Sequence, residues 1–407
     1  MKKFIAMMMA VLMVIGMFAA CGQPAGNVDL NGGAANNGAA NNDAATGDNS
    51  DAAVAAIKIG TSGPLTGDYA VYGKAVEYGL KLAFEEINAL GDLQFEVSAQ
   101  DDEADPEKAV NAYNNLMDWG MQIMAGPVTS GAAGATAQKC AEEKVFMLTP
   151  SASDAAVIAA GDNIFQICFT DPNQGKASAQ YIYNNQMATK VGVIYDSSSP
   201  YSAGIYATFK AEADALGLEI AVEAPFTEST KGDLTTQVTN CQQAGCDMVF
   251  LPIYTAEAAK ILSVANSNGY TTKFFGCDGL DGILGVKDFD TTLAEGVMLL
   301  TPFDATAADE KTQNFVKSYT EKFGVAPNQF AADAYDVAYA IYQACKAGNV
   351  TASMTAAEIN DIMVAQITSM TFDGLTGTGM TWAEDGAVSK DPMAVVIENG
   401  VYVSVDK

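Results

Sequence analysis

Two hydroxyl-rich loops carry the most suggestive chemistry in this sequence. One spans residues 127–131 (PVTSG) and the other residues 150–154 (PSASD), and each follows a short apolar segment and precedes a helical pattern. Serine hydroxyls and backbone N–H groups at a helix N-terminus bind anions without any cationic side chain. Either loop alone is adequately explained as a helix N-cap. Two such loops at successive strand ends favour a binding site for a carboxylate.

The second half of the chain offers a carboxylate and aromatic side chains at comparable places. Asp278 follows an apolar segment and precedes Gly279, so it either forms a turn or holds an ammonium group. A charge-assisted hydrogen bond of that kind is worth about 1.5–3 kcal/mol. Tyr201 and Tyr254 either close over a ligand or pack as half-buried aromatic residues, and Tyr72 in the first half has the same two interpretations.

The composition excludes several classes of site. The sequence contains no histidine, and all 21 of its basic residues are lysines. This rules out Ser-His-Asp and Cys-His catalytic sites, histidine metal ligands and the bidentate grip of arginine on an anion. A Ser-x-x-Lys spacing occurs only at residues 404–407, where it gives a catalytic role weak support. We therefore expect a protein that is not an enzyme and that uses no cofactor or metal.

The net charge of −28 bears on the choice of partners. The sequence has 49 acidic residues against the 21 lysines, and nucleic acid would repel such a polyanion. We interpret the excess charge as a solvated surface rather than as a functional acidic patch.

Seven cysteines remain to be explained. The first, Cys21, directly follows two alanines, and the other six show no paired zinc-type spacing. Cys241 and Cys246 are close enough in sequence to form a disulfide, and buried free thiols are the alternative. The six are Cys140, Cys168, Cys241, Cys246, Cys277 and Cys345.

The first residues indicate export and lipidation. Residues 1–20 combine two lysines, an apolar stretch too short to span a bilayer and a small-residue end, which is typical of a secretory signal peptide. Because Cys21 stands directly after Ala20, we expect it to be lipidated. Residues 21–56 are nearly all Gly, Ala, Asn and Asp and predict a disordered tether. The protein is thus expected to be anchored outside the cytoplasm, on the outer face of the plasma membrane or in the periplasm.

From residue 57 onward, short apolar segments alternate with amphipathic helical patterns in two successive series. Apolar strands alternating with helices are typical of parallel sheets covered on both faces. About 350 residues follow the tether, which is more than one core usually serves. The sequence therefore predicts an α/β protein with two doubly wound parallel-sheet lobes. We expect the chain to cross back to the first lobe near Thr301 and to end in a hairpin turning at Asn399-Gly400.

Several segments of the chain, taken in order, resemble those of the branched-chain amino acid (leucine/isoleucine/valine) binding proteins. The likeness runs from about residue 57 to residue 405. The segments are residues 60–67, 72–73, 101–102, 126–130, 149–152, 171–175, 195–198 and 276–279.

The resemblance implies the type I periplasmic-binding-protein fold, in which three crossovers form a hinge between two lobes. On this basis we place the N-terminal lobe at residues 57–172 plus 303–372. The C-terminal lobe is expected at residues 173–302 plus 373–407.

The same resemblance implies roles for the residues of the first lobe and for Asp278. The counterparts of Ser130 and Ser153 bind the ligand carboxylate, with help from the backbone near Ser151 and Ala152. The counterpart of Asp278 takes the α-ammonium group. This chain has aspartate where better-known members have glutamate, serine at 153 where they have threonine, and no disulfide near Ser130.

The aromatic positions follow from the resemblance as well. Tyr201 and Tyr254 match aromatic residues of the second lobe, and Tyr72 matches a position in the side-chain pocket. Leu280 stands where relatives often have an aromatic residue, and smaller groups leave more room in the site.

Together these features predict a lipoprotein that binds a solute for an ABC importer. It would hold a branched-chain or similar amino acid between its lobes, deliver it to separate permease and ATPase subunits, and act as a monomer. The alternatives are a ligand-sensing subunit of a receptor and a binding protein for an amide, a urea-like compound or an aromatic acid.

Overall fold

The computed structural model of the protein describes residues 55–405. The predicted signal peptide at residues 1–20, the predicted lipid attachment at Cys21 and nearly all of the predicted tether therefore lie outside the described residues. Across residues 55–405, none of the helices combines the length and the apolar character that crossing a membrane requires.

The first lobe is built on a five-stranded parallel sheet with strand order β2-β1-β3-β4-β5. Helices follow the strands, and the carboxyl ends of all five strands meet at one edge of the sheet. The elements are β1 (Ile57–Gly63), α1 (Ala70–Leu90), β2 (Phe95–Asp101), α2 (Pro106–Trp119), β3 (Ile123–Met124), α3 (Ser130–Glu142), β4 (Phe146–Thr149), α4 (Ala155–Ile158) and β5 (Ile164–Gln166).

The second lobe contains a seven-stranded sheet with order β12-β11-β10-β9-β8-β6-β7, in which β11 and β12 form an antiparallel edge. The predicted hairpin turn lies at Asn399-Gly400, where both residues have positive φ. The elements are α5 (Asp171–Asn184), β6 (Val191–Asp196), α6 (Pro200–Leu216), β7 (Ile220–Phe226), α7 (Thr235–Ala244), β8 (Met248–Leu251), α8 (Thr255–Ser267), β9 (Lys273–Gly276), β10 (Met298–Thr301), β11 (Met393–Glu398) and β12 (Val401–Ser404).

Between β10 and β11 the chain returns to the first lobe, as predicted. Three helices pack there: α9 (Glu310–Phe323), α10 (Gln329–Ala347) and α11 (Ala356–Ile367). Phe315, Val337 and Ile359 from these helices share one buried core with Ile57 of β1. The prediction of two doubly wound α/β lobes is confirmed.

Local sequence signals explain where helices begin and end. The Asp105 carboxylate caps α2 by accepting from the backbone N–H groups of Glu107 and Lys108, and Pro106 occupies the first turn. Gly120 ends the helix with φ 93°, a backbone conformation that glycine adopts without strain. These signals position the strand ends, and therefore the loops at the edge of the sheet.

The last crossover comes later than the sequence suggested. Trp382 is buried in the first-lobe core, where its Nε1 donates to the carbonyl of Gln166 at 2.8 Å. The chain thus stays with the first lobe beyond residue 372 and reaches the second sheet only at β11. Residues 373–390 form turns and isolated bridges rather than helices or strands. Their sequence therefore lacks the hydrophobic periodicity that would have indicated where the segment packs.

A buried ion pair fixes this third crossover. The Nζ atom of Lys390 donates to Asp333 Oδ1 at 2.8 Å and to Thr376 Oγ1 at 2.6 Å. Both charged side chains are 1% exposed. The neighbouring Asp336 carboxylate accepts from the backbone N–H groups of Leu375 and Thr376. Burial raises the pKa of Asp333 to about 6, against the opposing effect of Lys390.

Replacing Lys390 tests the importance of this pair. Lys390→Met would leave Asp333 buried without a cation, which lowers the free energy of unfolding by about 3–5 kcal/mol. Urea denaturation measures the change. The double variant Lys390→Met/Asp333→Leu should recover part of the loss, because it removes the unpaired Asp333 charge while the neighbouring Asp336 keeps its hydrogen bonds with Leu375 and Thr376.

The exposed pair of Lys108 and Glu103 is the control, since their side chains are 50% and 47% exposed. Lys108→Met should leave the urea midpoint unchanged. A midpoint for Lys390→Met equal to that of Lys108→Met would contradict a structural role for the buried pair.

Candidate ligand-binding site

The carboxyl ends of the two sheets face each other across a cleft, and a tyrosine of the first lobe bridges this cleft by hydrogen bonds to the second lobe. Tyr72 belongs to α1 of the first lobe. Its hydroxyl donates to the carbonyl of Gly279 at 2.6 Å and accepts from the backbone N–H of Thr255 at 2.7 Å, both in the second lobe. The lobes are therefore in direct contact at this point, as in a closed clamp.

A small cavity lies beside this contact. Five of the eight residues that the sequence singled out line it, and four further residues complete the wall. The predicted five are Tyr72, Ser151, Tyr201, Tyr254 and Asp278, and the four that sequence reasoning missed are Val128, Thr129, Gly279 and Phe330. These side chains nearly fill the cavity, so a ligand would enter only after the lobes part.

Asp278 is the charged group of the cavity wall. Its side chain is 3% exposed, and Oδ1 accepts a hydrogen bond from the Tyr201 hydroxyl at 2.7 Å. That hydroxyl in turn accepts from the backbone N–H of Gly279 at 2.9 Å, and the Tyr201 ring stacks on Tyr254 with centroids 4.8 Å apart. Burial raises the pKa of Asp278 to about 7. Its ionised form therefore lacks a full counter-charge within the protein.

A second buried acid lies near Asp278, and sequence reasoning did not single it out. Asp171 is the first residue of α5, is 1% exposed, and has no hydrogen-bond partner for either carboxylate oxygen. Burial raises its pKa well above the usual range, and the charge of Asp278 adds to the effect. The nearby Ser153 hydroxyl lowers the pKa of Asp171 by more than Asp278 raises it, although no hydrogen bond of good geometry joins the two side chains. These unpaired groups are complementary to a cation with several N–H donors.

The two hydroxyl-rich loops lie together, as the sequence predicts for successive strand ends. Ser130 Oγ accepts from the backbone N–H of Asp154 at 3.3 Å, and Ser151 Oγ donates to the carbonyl of Val128 at 2.7 Å. The backbone N–H of Ala152 donates to Thr149 Oγ1 at 3.0 Å. The first two bonds hold the loops to each other, and the third joins the second loop to the end of its own strand, β4. The predicted ligand contacts of Ser130, Ser151, Ala152 and Ser153 stay predictions.

The N-terminus of α3 retains its capacity for an anion. Thr129 is the N-cap residue, yet its side chain makes no capping hydrogen bond, and its Oγ1 atom is buried and unpaired. At this end of the 13-residue helix the first backbone N–H groups have no intrahelical partners, and the Tyr254 hydroxyl lies close to the backbone N–H of Ser130. The first lobe therefore offers donors for a negative group opposite the acids near the second lobe.

Leu280 does not enlarge the site. Its side chain is fully buried in the second-lobe core and lies over Gly276, where a Cβ atom would come within 2.3 Å of it. Phe330 of α10 supplies an aromatic wall instead, with its ring centroid 4.7 Å from that of Tyr72. The expectation that Leu280 leaves extra room is therefore wrong.

Comparison with known proteins agrees with this geometry. A family model for periplasmic binding proteins matches residues 56–400. The chain belongs to this family. It is 31% identical over 263 residues to Leu/Ile/Val-binding protein homolog 3 of Brucella melitensis biotype 1. The aligned region covers 63% of this chain and 70% of the relative. The predicted family is confirmed, and with it the prediction of a binding protein rather than an enzyme.

Solved structures of periplasmic binding proteins share the fold. The branched-chain amino acid transporter substrate-binding protein LivJ from Streptococcus pneumoniae, in complex with isoleucine, has a TM-score of 0.76 and 26% identity, covering 86% of this chain and 99% of that one. A solute-binding protein of an ABC transporter from R. palustris, in complex with benzoate, also has a TM-score of 0.76, with 20% identity and coverage of 86% and 95%. The second likeness concerns the fold alone.

This periplasmic binding protein has a second contact across its cleft. The hydroxyl of Tyr69, in the first lobe, donates to Glu257 Oε1 at 2.9 Å and accepts from Lys231 Nζ at 3.0 Å. Glu257 is 2% exposed, and its nearest cation is Lys231 at 3.9 Å. The Tyr69 ring also packs edge-on against Tyr254. Tyr69 therefore holds the lobes together without lining the cavity itself.

Removing this hydroxyl should destabilise the closed form. Tyr69→Phe leaves Glu257 without its donor, and hydrogen bonds to charged groups are worth about 1.5–3 kcal/mol. We expect a bound ligand to dissociate about tenfold faster or more, with little change in the association rate, as measured by stopped-flow tyrosine fluorescence.

Tyr183→Phe provides a matched control, since that side chain is 44% exposed. Equal dissociation rates for the Tyr69→Phe and Tyr183→Phe proteins would show that the Tyr69 contact does not stabilise the closed form.

Proposed function

We propose that this protein is the solute-binding component of an ABC importer and that it holds a free α-amino acid, branched-chain or similar, between its lobes. The observation that carries the proposal is the placement of two buried acids, Asp171 and Asp278, near a cleft whose other wall is a helix N-terminus with backbone N–H donors. Among the described residues, no lysine forms an ion pair with either acid. An ammonium group and a carboxylate on one small molecule would complement both sides.

In this proposal the ligand ammonium donates to Asp278 and Asp171, while Tyr201 keeps Asp278 in place. The ligand carboxylate accepts from the backbone N–H groups at the start of α3 and from the Ser153 hydroxyl. Tyr72, Tyr254 and Phe330 surround the ligand side chain. Hinge motion opens the cleft for entry, and closure restores the Tyr72 contacts with the second lobe.

Relatives support the choice of ligand. The Brucella relative is named as a Leu/Ile/Val-binding protein homolog, and the Streptococcus pneumoniae structure contains isoleucine. Delivery to a separate permease and ATPase follows from the importer role.

We propose in addition that residues 1–20 are a signal peptide, that Cys21 carries a lipid, and that the protein acts as a tethered monomer outside the cytoplasm. Presentation of the ligand to a receptor, rather than to a permease, is the alternative role.

A thermal-shift screen identifies the ligand class. The purified protein, unfolded and refolded to remove bound ligand, is tested against amino acids, amides, urea-like compounds and aromatic acids. A ligand that binds only the native state raises the melting temperature by mass action. We expect a rise with one group of aliphatic amino acids. A rise with an aromatic acid or an amide, and none with amino acids, would overturn the proposed ligand while leaving the fold intact.

Asp278→Asn tests the ammonium site directly. The substitution keeps the shape of the side chain and its bond with Tyr201 but removes the charge. Loss of a charge-assisted hydrogen bond should weaken amino-acid binding at least tenfold, as measured by calorimetry. Asp214→Asn, an exposed change on α6, should leave affinity unchanged. Equal affinities for the two variants would remove Asp278 from the site.

The affinity should also depend on pH. Burial in the closed cleft raises the pKa of Asp278 to about 7, whereas an ammonium partner requires the ionised form. Below pH 7 the proton on Asp278 must leave before the ammonium binds, and Asp171, whose pKa burial also raises, can release a second one, so affinity should fall at least tenfold for each pH unit. Calorimetry in buffers of different ionisation enthalpy should detect the released proton. A constant affinity between pH 5 and pH 8 would contradict this coupling.

A further inference from the structure

Two cysteines meet at the C-terminal end of α7, at the opposite end of β8 from Tyr254 of the candidate ligand site. Gly245 ends the helix with φ 70°. The backbone N–H of Cys246 donates to the carbonyl of Cys241, and the N–H of Gly245 donates to the carbonyl of Gln242, both at 3.1 Å. These two bonds define a Schellman motif, in which the side chains flanking the turn come into contact. Here both of those side chains are thiols.

The position of a neighbouring glycine limits the distance between the two sulfur atoms. A Cβ atom on Gly192 of β6 would lie 2.6 Å from Cys241 Sγ and 3.1 Å from Cys246 Sγ. The sulfur atoms therefore cannot be farther apart than these two distances added together, 5.7 Å. Rotation about the Cα–Cβ bonds is enough to change a separation of this size, and a disulfide requires about 2.05 Å. Any side chain at position 192 would occupy the space that the sulfurs need.

The other four cysteines of the described residues lack such a partner. Cys345 Sγ contacts Met363 Sδ at 3.6 Å, and Cys277 Sγ lies 3.6 Å from Ser178 Oγ. Cys140 and Cys168 are buried free thiols. Among residues 55–405, the pair at the end of α7 is therefore the one arrangement suited to a disulfide.

We propose that Cys241 and Cys246 are oxidised to an intramolecular disulfide after export. The two thiols give up two protons and two electrons to a disulfide-type oxidant, which leaves as a dithiol, and one S–S bond forms. The proposal rests on the extracytoplasmic character of the family, where disulfides persist, and not on the identity of the ligand. The bond would link the end of α7 covalently to the residues just before β8, next to Gly192 of β6.

Burial determines when the bond forms. The side chains are 0% and 3% exposed in the folded protein. Burial raises the pKa of Cys241 to about 12, with a further contribution from Cys246, and it raises the pKa of Cys246 as well. Because the thiolate is the reacting species, the folded dithiol reacts slowly, and oxidation takes place before the helix end is fully packed. Once formed, the bond is shielded from reductants by the same burial.

Mass spectrometry of the full chain tests the proposal. The exported protein is alkylated with iodoacetamide in denaturant, with and without prior reduction, and then digested. Without prior reduction we expect alkylation of four of the six cysteines within residues 55–405, and with prior reduction we expect alkylation of all six. The unreduced digest should contain one peptide joining Cys241 to Cys246, lighter by two hydrogen atoms than its reduced form.

A stability measurement provides a second readout. Protein refolded with oxidised glutathione should melt at a temperature a few degrees higher than protein refolded with dithiothreitol. The difference is small because the disulfide closes only a short loop. Cys241→Ser/Cys246→Ser should abolish this difference, and Cys140→Ala should retain it. Alkylation of all six thiols both after export and after refolding with oxidised glutathione would overturn the proposal, whatever the stability of the variants.

Discussion

The structure is organised around charge that it buries near the cleft and does not neutralise by itself. Asp278 has the hydroxyl of Tyr201 as its donor, and Asp171 has no hydrogen-bond partner for its carboxylate. Leaving ionised carboxylates in this condition is unfavourable, which is why burial raises the pKa of both groups. An external cation relieves the penalty only if it enters the cleft. In the proposed function, a ligand ammonium is that cation, and it binds at the first turn of α5 and the loop after β9.

Closure of the lobes couples this charge to the rest of the fold. Tyr72 and Tyr69 reach from the first lobe to backbone groups and to Glu257 of the second, so these hydrogen bonds require the cleft to be shut. The hinge must keep these partners in register through opening and closing. The buried pair of Lys390 and Asp333 serves that purpose by fixing the last crossover to α10. Because the hinge is rigid and only a few contacts join the lobes, the contacts that a ligand makes in the closed cleft are enough to shift the equilibrium toward the closed form.

Much of this arrangement could be predicted from the sequence because its signals are local. The Asp105-Pro106 start and the Gly120 stop of α2, the alternation of strands and helices, and the turn at Asn399-Gly400 each depend on neighbouring residues. Proximity across the fold leaves no such signal. Asp171-Pro172 resembles an ordinary helix start, yet Thr170 is the capping residue and the Asp171 side chain is buried. Phe330 lies on an apolar helix face, and nothing in its spacing distinguishes a cavity wall from a core position.

The central claim is that buried carboxylates near the cleft bind a ligand ammonium while the first lobe binds the ligand carboxylate. The most direct measurement is calorimetry on three related compounds: the amino acid that stabilises the protein most, the same molecule without its amino group, and the same molecule without its carboxyl group. The account predicts that removing either group weakens binding by at least tenfold, since each leaves a buried site unpaired. Equal affinity for the amino acid and its deaminated analogue would contradict it.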